Sequence, residues 1–213
     1  MNSDKPIVIV GAGGHGKVLL DICRTSGGRV AGFLDADSAL PPQLHGVPIL
    51  GSDELLGDRS FVAAHAFVLG VGETAIRSRL SVHLEQANAA LATLVHPSAA
   101  VSELASIGSG TTVHAGAIVN IDAKIGTHCV VNTGASVDHD CTLSDGVQVG
   151  PGATLAGGVT CQQNVFVGTG ASILPNVTIG RDAIVGGGSS VAKDVPEGVT
   201  VYGVPARIVR PAE

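Results

Sequence analysis

A period of six governs most of this chain. From Val101 to Val191 every sixth residue falls in one column: Val101, Ile107, Val113, Val119, Ile125, Val131, Val137, Leu143, Val149, Leu155, Cys161, Val167, Ile173, Ile179, Val185 and Val191. Fifteen of these sixteen are Val, Ile or Leu. Two residues ahead of each lies a second, mostly small column that includes Ala105, Ala117, Ala123, Ala135, Ala153, Ala171 and Ala183. No α-helix has that period and an ordinary strand alternates every two residues, whereas a hexapeptide parallel β-helix repeats in sixes. Each hexad then supplies one short strand and one corner of a triangular prism, and three hexads close a coil. The first column points inward, where each side chain gains roughly 1.5–3 kcal/mol from burial. Only stacked neighbours provide that burial. Gly, Asn and Asp at the corners tolerate left-handed backbone angles.

Composition agrees. The chain is 45% hydrophobic, yet it has no run of about 18 apolar residues that would span a membrane, and the prism interior accounts for the excess. With 12 Lys+Arg against 18 Asp+Glu and only 2% aromatic residues, it lacks the basic surface and stacking rings of a nucleic-acid binder. Met1 to Pro6 show no signal-peptide pattern before the first apolar strand, so a cytoplasmic location is expected. None of the four cysteines, Cys23, Cys129, Cys141 and Cys161, falls in a C-x-x-C pair, and Cys129 and Cys141 are not stacked one coil apart. They read as small core residues, with no metal site.

Ahead of the hexads the pattern changes. Ile7 to Val10 is a short aliphatic strand, Gly11, Ala12, Gly13, Gly14, His15 and Gly16 form a G-x-G-x-x-G run, and Lys17 to Arg24 is amphipathic. Strand, glycine loop and helix in that order let a backbone approach a diphosphate at a helix N-terminus. A second strand, Arg29 to Leu34, ends at Asp35, an acidic side chain placed to accept hydrogen bonds from a ribose or a base. A strand at Pro48 to Leu50 leads into a helix capped by Ser52 or Asp53. A fourth strand, Phe67 to Val71, turns through Gly72 into a helix ending near Gln86. Alternating strands and helices predict a small Rossmann-like parallel sheet whose ligand lies where Gly13, Asp35 and Gly72 converge. About 95 residues are too few for a full dinucleotide fold, which favours a mononucleotide or sugar nucleotide over NAD; a tight turn with no ligand is the bland alternative. The expected domains are 1–96, α/β, and 97–213, β-helix with a C-terminal cap from Val199 to Val209.

The hexad register leaves no long inserted loop, so chemistry must sit on the prism surface. Of His114, His128 and His139, only His139 lies between carboxylates, Asp138 and Asp140. A carboxylate beside an imidazole fixes its tautomer and stabilises the imidazolium, which makes a competent general base. Gly157, 18 residues on, belongs one coil above His139, where its N–H can meet a developing oxyanion. The alternative is an exposed turn histidine beside a corner glycine.

Gly11 to Gly16, Asn132 to Gly134, Asp138 to Cys141, Leu174 to Asn176, Gly186 to Gly188 and Gly203 to Ala206 together resemble the sialic-acid O-acetyltransferase-like family of sugar acyltransferases. Within it, the chain looks most like the nucleotide-sugar N-acetyltransferases that modify 4-amino sugars such as bacillosamine precursors and perosamine. The resemblance implies homotrimers of left-handed β-helices, acetyl-CoA in the groove between neighbouring prisms, and a nucleotide-linked amino sugar held by the N-terminal domain. It implies His139 as general base with Asp140 assisting, Gly157 on the thioester oxygen, and Asn132 near the reacting centre at the subunit edge. Thr169, Gly187 and Pro205 would line the acetyl-CoA groove and Arg207 would meet a CoA phosphate. Gly13, Gly14, His15, Asp35 and Gly72 would contact the nucleotide. Two departures stand out: Asp140 replaces a Glu common among relatives, and Gln148 stands where some carry a second histidine. The competing functions are a sugar O-acetyltransferase, a non-catalytic nucleotide-binding scaffold and a nicotinamide oxidoreductase.

Overall fold

The computed structural model describes residues 5–211. Contacts divide the chain into two compact units, one ending at Val95 and one beginning at His96. The first contains β1 (Ile7–Val10), α1 (Gly14–Thr25), β2 (Val30–Leu34), β3 (Gln43–Leu44), β4 (Val47–Gly51), α2 (Arg59–Ala64), β5 (Ala66–Leu69), α3 (Thr74–Gln86) and β6 (Ala90–Leu91). The sheet order is β3-β4-β2-β1-β5-β6. Its pairs are parallel except the β3–β4 hairpin, whose turn residues His45 and Gly46 both have positive φ, +50° and +78°. That is the geometry that lets a two-residue turn follow the strand twist.

Strand β1 shows why this unit is doubly covered. Ile7 and Ile9 pack with Leu19, Ile22 and Cys23 of α1, while Val8 and Val10 pack with Phe67, Leu80 and Leu84 on the opposite face. A strand buried on both faces must be apolar at every position, and β1 reads Ile-Val-Ile-Val. Burial raises the Cys23 thiol pKa to about 12, as fits a core residue. The helix expected from Lys17 begins at Gly14, because Gly13 is already its N-cap. The strand expected to reach Val71 stops at Leu69, where Gly70 comes against Gly11 and Gly16. The helix expected after Leu50 is a single 3-10 stretch, Asp53–Gly57, capped by Ser52, whose side chain accepts from Glu54 N; sequence reading missed the separate α2 that follows, too short for a periodic signal but capped by Asp58, which accepts from Ser60 N and Phe61 N.

In the second unit, three parallel sheets form the prism faces, and each coil repeats the last at 18 residues. Val101, Val119, Val137, Leu155, Ile173 and Val191 stack in one face. Val113, Val131, Val149, Val167 and Val185 stack in the second, and Ile107, Ile125, Leu143, Cys161 and Ile179 in the third. From Val113 onward these inward residues are at most 4% exposed. The fold is a left-handed β-helix of hexapeptide repeats. Cys129, Cys141 and Cys161 are all free and buried, and burial pushes the Cys161 thiol pKa up.

Every sixth corner residue from 110 to 188 has positive φ, between +52° and +74°. The set is eight glycines, Asp122, Asp140, Asp182, Asn164, Asn176 and His128, largely the residue types that tolerate this region. The register changes once, beyond Val191. Val195 bridges to Ile179 and Val201 pairs with Val185, so each step there is 16 residues rather than 18. The expected cap is a hairpin, Val199–Gly203 against Ala206–Pro211, that extends one face of the prism.

Replacing Leu155, fully buried, by Ala is expected to cost about 2–5 kcal/mol of unfolding free energy. Thr154→Ala, at the exposed neighbour, should stay within about 0.5 kcal/mol; denaturant unfolding of the two variants separates them.

Candidate active site

Two places carry the groups singled out by sequence, one in each unit. On the prism, the corner between strands Ser136–Val137 and Thr142–Leu143 presents Asp138, His139 and Asp140. The left-handed backbone at Asp140, φ +59°, is the corner conformation repeated along the prism. It turns the carboxylate back onto the preceding side chain: Oδ2 of Asp140 lies 2.7 Å from Nδ1 of His139. Both side chains are more than half exposed, 57% and 66%, so solvent and a ligand reach them. A carboxylate accepts only from a protonated nitrogen, so the proton sits on Nδ1 and the lone pair on Nε2.

Asp138 is used differently. Its Oδ1 accepts from the His139 backbone N–H at 2.8 Å and from Asn120 Nδ2 at 2.7 Å. The Asp140 hydrogen bond, followed by the charge of Asp138, holds the His139 pKa above the ordinary histidine value. Asn120, followed by the His139 N–H, lowers the pKa of Asp138. The imidazole lies against Gly157, one coil on: a Cβ built there would stand 2.5 Å from Cε1 and 2.6 Å from Nε2. Only glycine leaves room for the ring. Gly158 N–H donates to His139 O at 2.9 Å, and Gly157 O accepts from Asn176 N–H, but Gly157 N–H has no acceptor among the described residues. The corner thus holds a base with its lone pair on Nε2 and an uncommitted backbone donor beside it.

The other residues named from sequence lie elsewhere on the same prism. Asn132, whose Oδ1 accepts from Thr133 N–H at 2.8 Å, sits on the neighbouring corner. Thr169 and Gly187 stack on the corner of Asn132, with Gly188 N–H donating to Thr169 O at 2.9 Å. Pro205 is exposed at the hairpin turn, and exposed Arg207 donates to Ala206 O. The structure therefore brings Asn132, Thr169 and Gly187 to one corner and His139 and Gly157 to another. Gln148 is buried, 5% exposed, in its strand. Tyr202, not anticipated from sequence, lays its ring over Gly186; a Cβ on Gly186 would overlap it.

In the first unit, a cavity of about 440 Å³ is lined by all five residues expected there: Gly13, Gly14, His15, Asp35 and Gly72. A Cβ added at Gly13 or Gly14 would meet nothing within 4 Å, so the loop backbone is open to a ligand, whereas Gly16 is needed for contact with Gly11 O. Asp35 clamps the loop, its Oδ2 accepting from Ala12 N–H at 2.7 Å and its Oδ1 from Asp37 N–H at 3.0 Å. Sequence reading missed Asp53, Glu73, Ile76 and Arg79 in this lining. Glu73 caps α3; Arg79 follows six residues later on α3, out of reach of a loop motif. A wider hollow of about 800 Å³, beside α2 and the end of α3, shares only Asp53 with this cavity. Among the described residues no cluster of His, Cys, Asp or Glu is arranged to hold a metal ion, and no helix is long and apolar enough to cross a membrane.

A glycine-loop α/β unit joined to a hexapeptide prism with a carboxylate-paired histidine on its corner defines a class, the sugar acyltransferases. Residues 6–84 match the family described as the PglD N-terminal domain, and residues 158–193 match the bacterial transferase hexapeptide family. Perosamine N-acetyltransferase from Caulobacter crescentus, solved with CoA and GDP-perosamine, is 39% identical, with 97% of this chain and 98% of that one covered and a TM-score of 0.90. Variants of that enzyme with one histidine replaced by Asn or by Ala were solved with the same two ligands. The acetyltransferase domain of PglB from Neisseria gonorrhoeae is 32% identical over 97% of this chain and all of that one, with a TM-score of 0.91. UDP-N-acetylbacillosamine N-acetyltransferase of Bacillus subtilis (strain 168) is 42% identical over 110 residues, half of each chain, so the match spans about half the length of that curated relative. This chain belongs to the sialic-acid O-acetyltransferase-like sugar acyltransferases, in the branch of the bacillosamine- and perosamine-type N-acetyltransferases.

Asp140→Asn removes the charge that accepts from Nδ1. The His139 pKa should then fall toward the ordinary histidine value, read as a shift of its ring resonances in an NMR pH titration.

Proposed function

We propose that this protein transfers the acetyl group of acetyl-CoA to the 4-amino group of a nucleotide-linked 4-amino-4,6-dideoxy sugar, with His139 as general base. One observation carries the reading: an imidazole tied through Nδ1 to Asp140 lies over a glycine whose N–H is uncommitted. That pairing of base and oxyanion donor is what acyl transfer to an amine requires. The similarity to enzymes solved with CoA, acetyl-CoA and GDP-perosamine supports the two substrates.

The amine nitrogen attacks the thioester carbonyl carbon while Nε2 of His139 takes its proton. The carbonyl oxygen becomes an oxyanion and accepts from Gly157 N–H. Collapse reforms the C=O, breaks the C–S bond and releases CoA thiolate, which takes the proton back from the imidazolium. Asp140 holds the ring and offsets its transient positive charge. Positioned proton transfer of this kind contributes roughly 10²–10⁴-fold; the rest comes from holding amine and thioester together. The transfer is direct and needs no acyl-enzyme; the three prism cysteines are buried in its core, not placed to form one.

The nucleotide occupies the glycine-loop cavity, with its diphosphate at Gly13 and Gly14 and with Asp35, His15 and Gly72 around it. The working form is a homotrimer. Following the family resemblance, the groove that holds acetyl-CoA takes the Asn132, Thr169 and Gly187 corner from one copy and the His139 corner from the next. Pro205 and Arg207 of the hairpin line the same groove. Acetyl-CoA and nucleotide sugars are both cytoplasmic metabolites, and the reaction is a cytoplasmic one.

Release of free CoA is to be measured across GDP- and UDP-linked 4-amino sugars, with amine-free nucleotide sugars and sialic acid alongside. Turnover confined to an amino sugar is expected; turnover only with hydroxyl acceptors would mean O-acetylation, and silence with no acetyl-CoA binding would mean a scaffold. His139→Ala should reduce turnover by at least about 10²-fold while acetyl-CoA affinity, read by calorimetry, stays near its original value.

A further inference from the structure

Asp138 and Asp140 both flank His139, but they are held by different things. Asp140 touches the ring itself. Asp138 does not: its Oδ1 is fixed between the His139 backbone N–H at 2.8 Å and Asn120 Nδ2 at 2.7 Å. Asn120 stands 18 residues before Asp138, the same corner position one coil below. Its side-chain hydrogen bond goes to Asp138, not to the imidazole.

We propose that Asn120 is a positioning residue for the reaction: by anchoring Asp138 from the coil below, it fixes the carboxylate that pins the His139 backbone and keeps a negative charge beside the imidazole. This rests on the reading of His139 as the base. Physically, an exposed carboxylate with no anchor rotates into water, where screening removes most of its effect on a neighbouring charge. With Nδ2 and the backbone N–H both donating to one oxygen, Asp138 cannot rotate without losing two bonds. The corner conformation then starts from a fixed point on one side of His139, as it ends in a fixed point on the other, the left-handed Asp140.

The charged groups that face the imidazole are few. Asp138 and Asp140 flank it, and Asp122 lies one coil below Asp140 at the same corner position, φ +59°. The corner above, Gly157 and Gly158 followed by Asn176, brings no charge. Loss of the Asp138 anchor therefore frees that negative charge to turn away from the imidazole into water. The His139 pKa falls, and the base becomes weaker.

The molecule supplies its own control. Asn164 Nδ2 donates to Asp182 Oδ1 at 3.0 Å, again 18 residues apart. That pair lies on a different corner, and neither residue has a histidine beside it in the chain.

The test compares Asn120→Ala and Asn164→Ala in the full chain. Two readouts are taken: the pH profile of kcat/KM, and an NMR titration of the His139 ring, assigned from the resonance missing in His139→Gln. For Asn120→Ala the His139 pKa should fall, the acid limb of the profile should move down with it, and kcat should drop several-fold with the KM for acetyl-CoA little changed. Asn164→Ala should leave both the pKa and the limb in place. An unmoved pKa in Asn120→Ala, or an equal shift in Asn164→Ala, would overturn the positioning role. A pKa that falls while the acid limb stays put would overturn the assignment of His139 as base, and the role of Asn120 with it.

Discussion

Burial of one aliphatic side chain per hexad is the constraint from which the rest follows. A two-residue strand has no stability of its own, and an inward Val or Leu gains its burial only when the coils above and below are in register. The pairing at 18 residues, repeated along all three faces, is the geometric consequence. The chain has to turn every six residues to keep it. Fourteen successive corner positions with positive φ are the local cost, met mainly by glycine, asparagine and aspartate.

The same constraint makes the functional corner rigid. Asp140 is one of those left-handed residues, and the conformation that the corner demands is also the one that carries its carboxylate to Nδ1 of His139. A Glu at this position would reach further; with Asp the shorter side chain relies on the backbone to make the 2.7 Å contact. Gly157 serves the fold and the site together. It is part of a corner, and its missing side chain is the space the imidazole occupies. Stacking thus aligns the His139 imidazole, the Gly157 N–H and Asn120 along one corner of the prism.

The α/β unit meets a different constraint in a related way. Its cavity is framed where Gly11, Gly16 and Gly70 allow the loop, helix and neighbouring strand to touch. Gly13 and Gly14 leave the backbone bare toward the cavity. Asp35, read from sequence as a ligand for ribose or base, already accepts two backbone N–H bonds. Its first task is to hold the loop; a carboxylate oxygen retains further lone pairs for a ligand.

The sequence by itself determined the prism, its period, its inward column and the stacking of Gly157 on His139, because those are properties of spacing along the chain. It also determined the glycine loop and the order of strands and helices that gives the small sheet. Tertiary structure decided what spacing does not carry. Spacing alone leaves Asp138 and Asp140 equivalent beside the imidazole; the folded corner gives the ring contact to Asp140. That Asp138 belongs to Asn120 depends on a contact between coils, and Arg79 enters the cavity lining from a helix face with no motif to announce it. Short elements such as α2 and β3 escaped because six or two residues hold no period. The physical reason is common to these cases: periodicity fixes where a side chain stands along the fold, while its hydrogen-bond partner is fixed by neighbours that the chain brings together only on folding.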